Sequence, residues 1–575
     1  MTAGMPRLLL TTVCRPYGVQ GADAEAEGMQ MELLNNQITR EQGVHSPRAN
    51  FWTFPLYFLA ENINVPATVL DFPSWRAFKK ALADGYTHVG ISFIQTNVLK
   101  AKRMAEHIRN RWPNIKILLG GYGAGLPDLR EIVPCDAVCP GEGIKWLRSY
   151  FGEDSDRPLR HPVMNGVVRK HVYGIHCRTD DSAVIFPGLG CRNGCFFCST
   201  SSKFGNEYIP FLESGKNVFE LCQRCEDELG VREFAIIDEN FLLEPARARE
   251  LLVEMERAGK DYNFSIFSSA EVLSELGADF LLRLGVCAVW VGVETSADVF
   301  EKVRELDSAS LIADLQEHGI SVISSSILFM EHHDRETLEE DIEWAISLGS
   351  DLHQFMQLTP LPGTPLYGKY LEDGKLIKNF PYTKMSGQNA LNFYHPHFAS
   401  AEAEELTRQA FRRKYEAGGP AVVNMARTIV KGYRRAMQET ARREQNGLSW
   451  NPDTLRYDRR SIIPAKDDYM RKRLEAIRRR AEEYRPILQA GWLFSPNAEA
   501  RQRCGEVMRE YREIIGPADF ADRLKSAGVV LSAGVECLRM GLGRLAGRDE
   551  LVRQPPSRRV VYSTNGAGIR ERREI

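Results

Sequence analysis

Three cysteines stand within eight residues at Cys191-Arg-Asn-Gly-Cys195-Phe-Phe-Cys198, directly after the run Phe186-Pro-Gly-Leu-Gly190. Thiolates at this spacing can converge on one soft metal centre, and glycines let the loop wrap around it. Iron–sulfur clusters are held by such cysteine runs. A structural zinc site needs a fourth Cys or His close by to complete its tetrahedron, and none follows in a zinc-like position. Three ligands leave an open coordination position, which implies a substrate or cofactor there. Structural zinc and three unrelated core cysteines are the competing readings. Cys222-Gln-Arg-Cys225 also has metal spacing, but it lies inside a helical pattern and reads first as packed structure. Glu331, His332 and His333 follow a strand pattern where a substrate would approach, as does His395-Pro-His397 beyond it. A general base or a substrate contact is one reading of these residues, and ordinary loop polarity is the other. No residue is assigned the catalytic role outright.

The elements that must position these groups alternate. Over residues 1–150 strand patterns at Arg7–Val13, Ala67–Phe72, His88–Ile94, Lys116–Gly120 and Ala137–Cys139 are separated by helical ones at Phe51–Ile63, Ser74–Ala83, Val98–Trp112 and Leu126–Ile132. This is the pattern of a parallel sheet with helices on both faces. The long polar segment Pro16–Asn50 interrupts it and reads as functional or disordered. After a linker at residues 151–180, six more strand patterns start at Val184, Glu233, Asn263, Ala288, Val322 and His353. Helical ones fall between them, including Val272–Leu284. Six β/α units suit an open or partial barrel over residues 181–400, with chemistry at the carboxyl ends of its strands. From Glu402 the strand signals cease, which predicts a helical domain at residues 401–575 ending in a loose basic tail. The fold class expected is therefore α/β, with a helical carboxyl-terminal part.

The cysteine spacing, with Phe197 before the last cysteine, resembles the signature of radical S-adenosylmethionine (radical SAM) enzymes. The resemblance implies a [4Fe-4S] cluster on Cys191, Cys195 and Cys198, with SAM on its unique iron. Reductive cleavage would then give a 5′-deoxyadenosyl radical, drawing electrons from a partner such as flavodoxin or ferredoxin. It also implies SAM contacts at two strand ends: Asp238, Glu239 and Asn240 for the amino group, and Glu294 and Ser296 within Gly292-Val-Glu-Thr-Ser296 for the ribose and amino acid moieties. Thr359–Pro365 resembles a turn of the same family and carries no catalytic assignment. The first 150 residues resemble the flavodoxin-like cobalamin-binding domain of one large subclass, through Val89–Ile94, Leu118–Gly123 and Pro140–Gly143. Ser92, Gly120 and Gly121 would border the nucleotide tail, and Gly141, Glu142 and Gly143 would shape the loop near the corrin. The Asp-x-His-x-x-Gly motif that supplies histidine to cobalt is absent, so the lower ligand is a non-histidine group or nothing. A flavodoxin-like domain that binds something else is the alternative. The commonest chemistry of the subclass is methylation of an unactivated carbon. Radical rearrangement, cyclisation or oxidation is the enzymatic alternative, and a non-catalytic metal-binding or regulatory protein the remaining one.

The totals bound the rest. In 575 residues the net charge is −2, with 43% hydrophobic residues and mean hydropathy −0.31, the profile of a globular chain of several domains. About 36 Lys and Arg face about 24 Asp and Glu over residues 401–575, so the rest is net acidic. No run of uncharged apolar residues reads as a membrane-spanning helix. Val529–Leu545 is apolar yet charged at intervals, which leaves peripheral membrane contact open beside core packing. Twelve cysteines make no disulfide scaffold, and a cytoplasmic location is expected. Nucleic acid is not an expected partner, and the substrate is read as a small or lipid-like molecule.

Overall fold

A computed structural model describes residues 5–17, 37–177, 179–297, 307–459, 466–546, 554–564 and 570–575. Two sheets organise the chain. The first contains β1 (Leu8–Thr12), β2 (Ala67–Asp71), β3 (His88–Ser92), β4 (Lys116–Gly120) and β5 (Ala137–Val138), all parallel, in the order 2-1-3-4-5. Helices cover both faces, so β1 and β2 are buried at every position and read as continuous apolar runs such as Leu8-Leu9-Leu10. The strand order reverses between β1 and β3, the place where open parallel sheets take ligands beyond their carboxyl ends.

The second sheet holds β6 (Ser182–Ile185), β7 (Glu233–Ile236), β8 (Asn263–Ser268), β9 (Val286–Glu294), β10 (Ser321–Leu328) and β11 (Leu352–Gln357). These six are parallel and hydrogen-bonded in chain order, with β6 and β11 at the edges. Each successive pair is joined through helical structure, so all six carboxyl ends face one way. The predicted helix Val272–Leu284 is in fact two, Ala270–Leu276 and Ala278–Leu284. Gly277 separates them at φ 76, a conformation that ends one helix and starts the next.

The ends of the chain depart most from expectation. The tail is not loose. Residues Arg558–Thr564 form β12, antiparallel to β2, and Arg570–Glu574 form β13 beside it, which extends the first sheet to seven strands. Val560 and Tyr562 alternate inward at 2% and 1% exposure, a period-two pattern disguised by the arginines between them. Arg570 anchors the tail, donating to the carbonyls of Ala60 at 2.9 Å and Val65 at 3.0 Å. The predicted linker is also structured. Val167–Val172 pairs with Ile175–Cys177 and with Arg48–Phe51 from the early insertion, of which residues 18–36 lie outside the described residues. Strand signals do not cease at Glu402 either, since Leu448–Asn451 and Arg456–Arg459 form a hairpin.

The carboxyl-terminal helices seat against the amino-terminal ends of the second sheet. Arg473, fully buried, donates to the carbonyls of Asp261 and Tyr262 at 2.9 and 2.8 Å just before β8. Thr428 donates to Asp351 at 2.6 Å just before β11. That end is closed, and the carboxyl ends are left to meet the first domain.

Candidate functional site

The cysteine loop leaves a short hairpin, Gly188–Leu189 paired with Ile209–Pro210. Gly190 turns it at φ 85, where a Cβ would lie 2.2 Å from the Glu207 carbonyl, so only glycine fits. Cys191 is buried, Cys195 and Cys198 are half-buried, and the Cys198 N–H donates to the Cys195 carbonyl at 2.9 Å. Burial pushes the Cys191 thiol up, and negative charge on Cys195 or Cys198 would push it further. The three sulfurs are not drawn within 4.8 Å of one another, as ligands of a single ion would be. A four-iron cluster takes each thiolate on a different iron, so a three-thiol loop with wider spacing suits it chemically.

The strand-end acids divide into two kinds. Asp238 is spent inside the protein: Tyr208 Oη donates to it at 2.6 Å and Arg247 Nη2 at 3.1 Å, with both charges buried. Asn240 ties two strand ends together, accepting from Ser268 Oγ at 3.0 Å and Ser269 N–H at 3.2 Å. Glu239, between them, opens into a cavity. Thr200 donates to its carboxylate, and Thr200 is linked in turn to Tyr122 Oη at 2.8 Å. Burial raises the Glu239 pKa, the Thr200 hydrogen bond opposes the rise, and the Asp238 charge adds to it.

The fourth strand end is held from behind. Glu294 sits at φ 60, a left-handed conformation that costs a non-glycine residue about 1 kcal/mol or more. The pairing register shifts at the same point, between Gly292 and Glu294. Asp341 fixes the following turn: it accepts from Thr295 Oγ1 at 2.6 Å and from Ser296 N–H at 2.8 Å, and Ser296 Oγ donates to it as well. His333 completes this anchor. Its Nδ1 accepts the Met330 N–H at 3.0 Å, so Nε2 carries the proton and donates to Asp341 at 3.0 Å. His332, His333 and Asp341 place ligand atoms within 4.8 Å of one another, but both His333 nitrogens are thereby engaged. His333 is fully buried and positions Asp341, Glu331 pairs with Lys375 at 2.6 Å, and His332 is exposed. Ser296 likewise spends its hydroxyl on Asp341.

A cavity of about 460 Å³ lies between the carboxyl ends of the first sheet and those of β6 and β7 in the second. Ser92, Gly120, Gly121, Gly141, Glu142 and Gly143 line it from the first domain, and Asp238, Glu239, Thr200 and Lys203 from the second. Gly121 has φ 85, and a Cβ there would lie 2.5 Å from the Phe93 carbonyl. Gly120 and Gly141 have no atom within 4 Å of where a Cβ would stand, so their backbone is bare toward a ligand. Glu142 caps the helix Gly143–Tyr150, accepting from Ile144 and Lys145 N–H at 2.6 and 2.7 Å, which shapes the loop and uses the carboxylate. The walls are mostly apolar and, among the described residues, include no histidine. Sequence reasoning missed Lys203, whose ammonium bridges the domains through the carbonyls of Gly121 at 3.1 Å and Pro140 at 3.2 Å. It missed Thr200 and Tyr122 too. Their only signal was closeness to the cysteine and glycine motifs.

Residues 185–345 match the model of the Radical SAM superfamily. Over 361 residues the chain is 25% identical to an uncharacterized methyltransferase of Pyrococcus horikoshii, a span covering 56% of this chain and 77% of that protein. Over 204 residues it is 24% identical to a bacteriochlorophyllide d C-12(1)-methyltransferase of Chlorobaculum tepidum, covering 34% of this chain and 43% of that one. Among solved structures, the radical SAM methyltransferase TsrM of Kitasatospora setae, with tryptophan and a SAM analogue bound, aligns with a TM-score of 0.47 at 16% identity. The alignment covers 73% of this chain and 89% of TsrM.

Proposed function

From a radical SAM domain at residues 185–345, we propose that this chain is a cobalamin-dependent methyltransferase acting on an unactivated carbon of a small or lipid-like substrate. Its second sheet would serve as a partial (β/α)6 barrel and its first domain as the corrin site. One observation carries the reading: a cavity joins the carboxyl ends of the first sheet to those of β6 and β7, with bare glycine backbone on one side and the helix after the cysteine loop on the other. The methyltransferase names of two relatives support it.

Cys191, Cys195 and Cys198 would hold the cluster, and Gly120, Gly121 and Gly141 would border cobalamin. When bound, the cluster supplies the electron that cleaves SAM, and cobalamin carries the methyl group. The chain's own residues do the rest. Glu239, the cavity-facing acid of its segment, offers a carboxylate to the SAM ammonium. Asp238 neutralises Arg247 and holds that segment in place. The Asp341–His333 pair fixes Thr295 and Ser296, so that the Glu294 strand end presents backbone in one conformation. The apolar walls exclude water from a site where a radical must meet only its substrate. Electrons would come from a flavodoxin- or ferredoxin-type donor.

The test is anaerobic purification with hydroxocobalamin supplied, followed by visible absorption and electron paramagnetic resonance with and without SAM. A SAM-perturbed [4Fe-4S] signal with bound corrin is expected, and Cys195→Ala should abolish the cluster signal. Turnover should consume two SAM, giving S-adenosylhomocysteine beside 5′-deoxyadenosine. Corrin-bound enzyme that forms 5′-deoxyadenosine but no S-adenosylhomocysteine would replace methylation with rearrangement, cyclisation or oxidation. A cluster that persists in Cys195→Ala would overturn the ligand assignment.

A further inference from the structure

The helix Phe520–Leu545 buries only one narrow face, Ser526, Val529, Ala533 and Glu536, against its own chain. On the other side Phe520, Leu524, Leu531, Val535, Leu538, Leu542 and Leu545 are 59–87% exposed. Single exposed leucines are ordinary, but seven large apolar residues on one 26-residue helix are not.

Their spacing specifies more than stickiness. Leu524, Leu531, Leu538 and Leu545 recur at every seventh residue, and Gly528, Val535 and Leu542 fall four residues after a leucine. This is a strict heptad seam of the kind two helices share, narrower than the broad apolar stripe of a helix lying in lipid. Ala527, Gly534 and Gly541 form a second seven-residue series along the seam's edge. Glycine costs about 1 kcal/mol inside a helix, and Gly528 and Gly541 have no neighbour within 4 Å of a would-be Cβ. Nothing in this chain's described residues uses that space. A second helix backbone would, because small residues permit close approach.

Charge fits the same occupant. Lys525 and Arg539 flank the seam on one side, and the small neutral series flanks it on the other. In a parallel pair these positions meet across the interface, so Lys525 faces Phe520 and Arg539 faces Gly534 rather than another cation. The nearby acids are occupied within the chain, Glu536 by Arg539 and Asp522 by Arg485. Burying the seven side chains would remove roughly 600 Å² per copy, about 1,200 Å² in all, the lower end for a specific interface.

We propose that Phe520–Leu545 is the dimerisation helix of this protein, pairing in parallel with the same helix of a second copy. None of the seam residues lines the cavity, so pairing leaves each copy its own site.

The experiment is sedimentation velocity of the full-length chain at micromolar concentration, for wild type and for Leu531→Glu/Leu538→Glu, with circular dichroism on both. The expected result is twice the chain mass for wild type and the single mass for the variant. Secondary structure and melting of the monomer should be unchanged, because both residues are solvent-facing. A Gly541→Leu variant should also weaken association, by crowding the seam without adding charge. Wild type that stays monomeric, or a variant that stays dimeric, would overturn the proposal. So would a monomer that floats with phosphatidylglycerol vesicles and loses this property in Leu531→Glu/Leu538→Glu, which would assign the face to an anionic membrane.

Discussion

Glu239 and Asp341 are both carboxylates near strand ends, and their surroundings push them in opposite directions. Burial raises Glu239, with one hydroxyl to offset it. A carboxyl raised on folding holds its proton more tightly in the native state, so stability falls as pH climbs through the ordinary Glu range toward the raised value. The penalty is complete once pH passes the raised value, and the opening of the side chain to the cavity keeps it small. Above that value Glu239→Gln is therefore expected to raise the melting temperature of the cofactor-free protein slightly while weakening SAM binding about tenfold, the scale of one charge-assisted hydrogen bond. Melting and equilibrium binding measured on one preparation would check both signs. Burial alone would also raise Asp341, but hydrogen bonds from His333, Ser296 and Thr295 outweigh it and hold the carboxyl below the usual Asp range. Its contribution is present above the unfolded value and is lost as pH falls through the lowered one. Asp341→Ala strands these buried donors and is expected to cost about 3 kcal/mol in denaturant unfolding. The KM for SAM should rise more than kcat falls, since Asp341 touches no reacting atom.

The short helix Ser199–Lys203 joins the two halves of the site. It follows the last cysteine, sends Thr200 to Glu239 and Tyr122, and sends Lys203 to the glycine loops of the first domain. Each neutral-acceptor hydrogen bond is worth about 1 kcal/mol. Lys203→Met keeps the length of the side chain and removes both links. Corrin affinity is expected to fall several-fold while cluster content stays unchanged, read by titrating hydroxocobalamin against the cluster absorption. At this scale the sequence was most legible where periodicity was clean. The parallel strands of both sheets were placed within a few residues, because a buried parallel strand is a short apolar run between turns, whereas the helices Gly143–Tyr150 and Pro365–Glu372 that follow the last strand of each series were not predicted. The break at Gly277 was less visible, since a helix and two half-helices share one apolar period.

The whole molecule is closed by its own tail. Strand β12 covers the β2 edge and Arg570 pins β13 to the carbonyls of Ala60 and Val65. Deleting residues 554–575 is expected to lower the melting temperature and promote aggregation, because it uncovers a parallel-sheet edge built from Ala67-Thr-Val-Leu-Asp71. Light scattering during heating of the full and truncated chains would show it. A truncated protein that stays soluble with unchanged melting would mean the tail adds no stability. The sequence by itself determined the cysteine triplet, the α/β alternation and the glycine motifs, because these depend on residue type and short-range spacing. Only the tertiary structure decided that Glu239 is open to the cavity while Asp238, at its edge, is spent on Arg247 and Tyr208, and that His333 serves Asp341 rather than a substrate. The same holds for the tail strands and for Lys203. Each of these depends on partners dozens to hundreds of residues away, and burial and hydrogen bonding at that range leave no periodic trace in the chain.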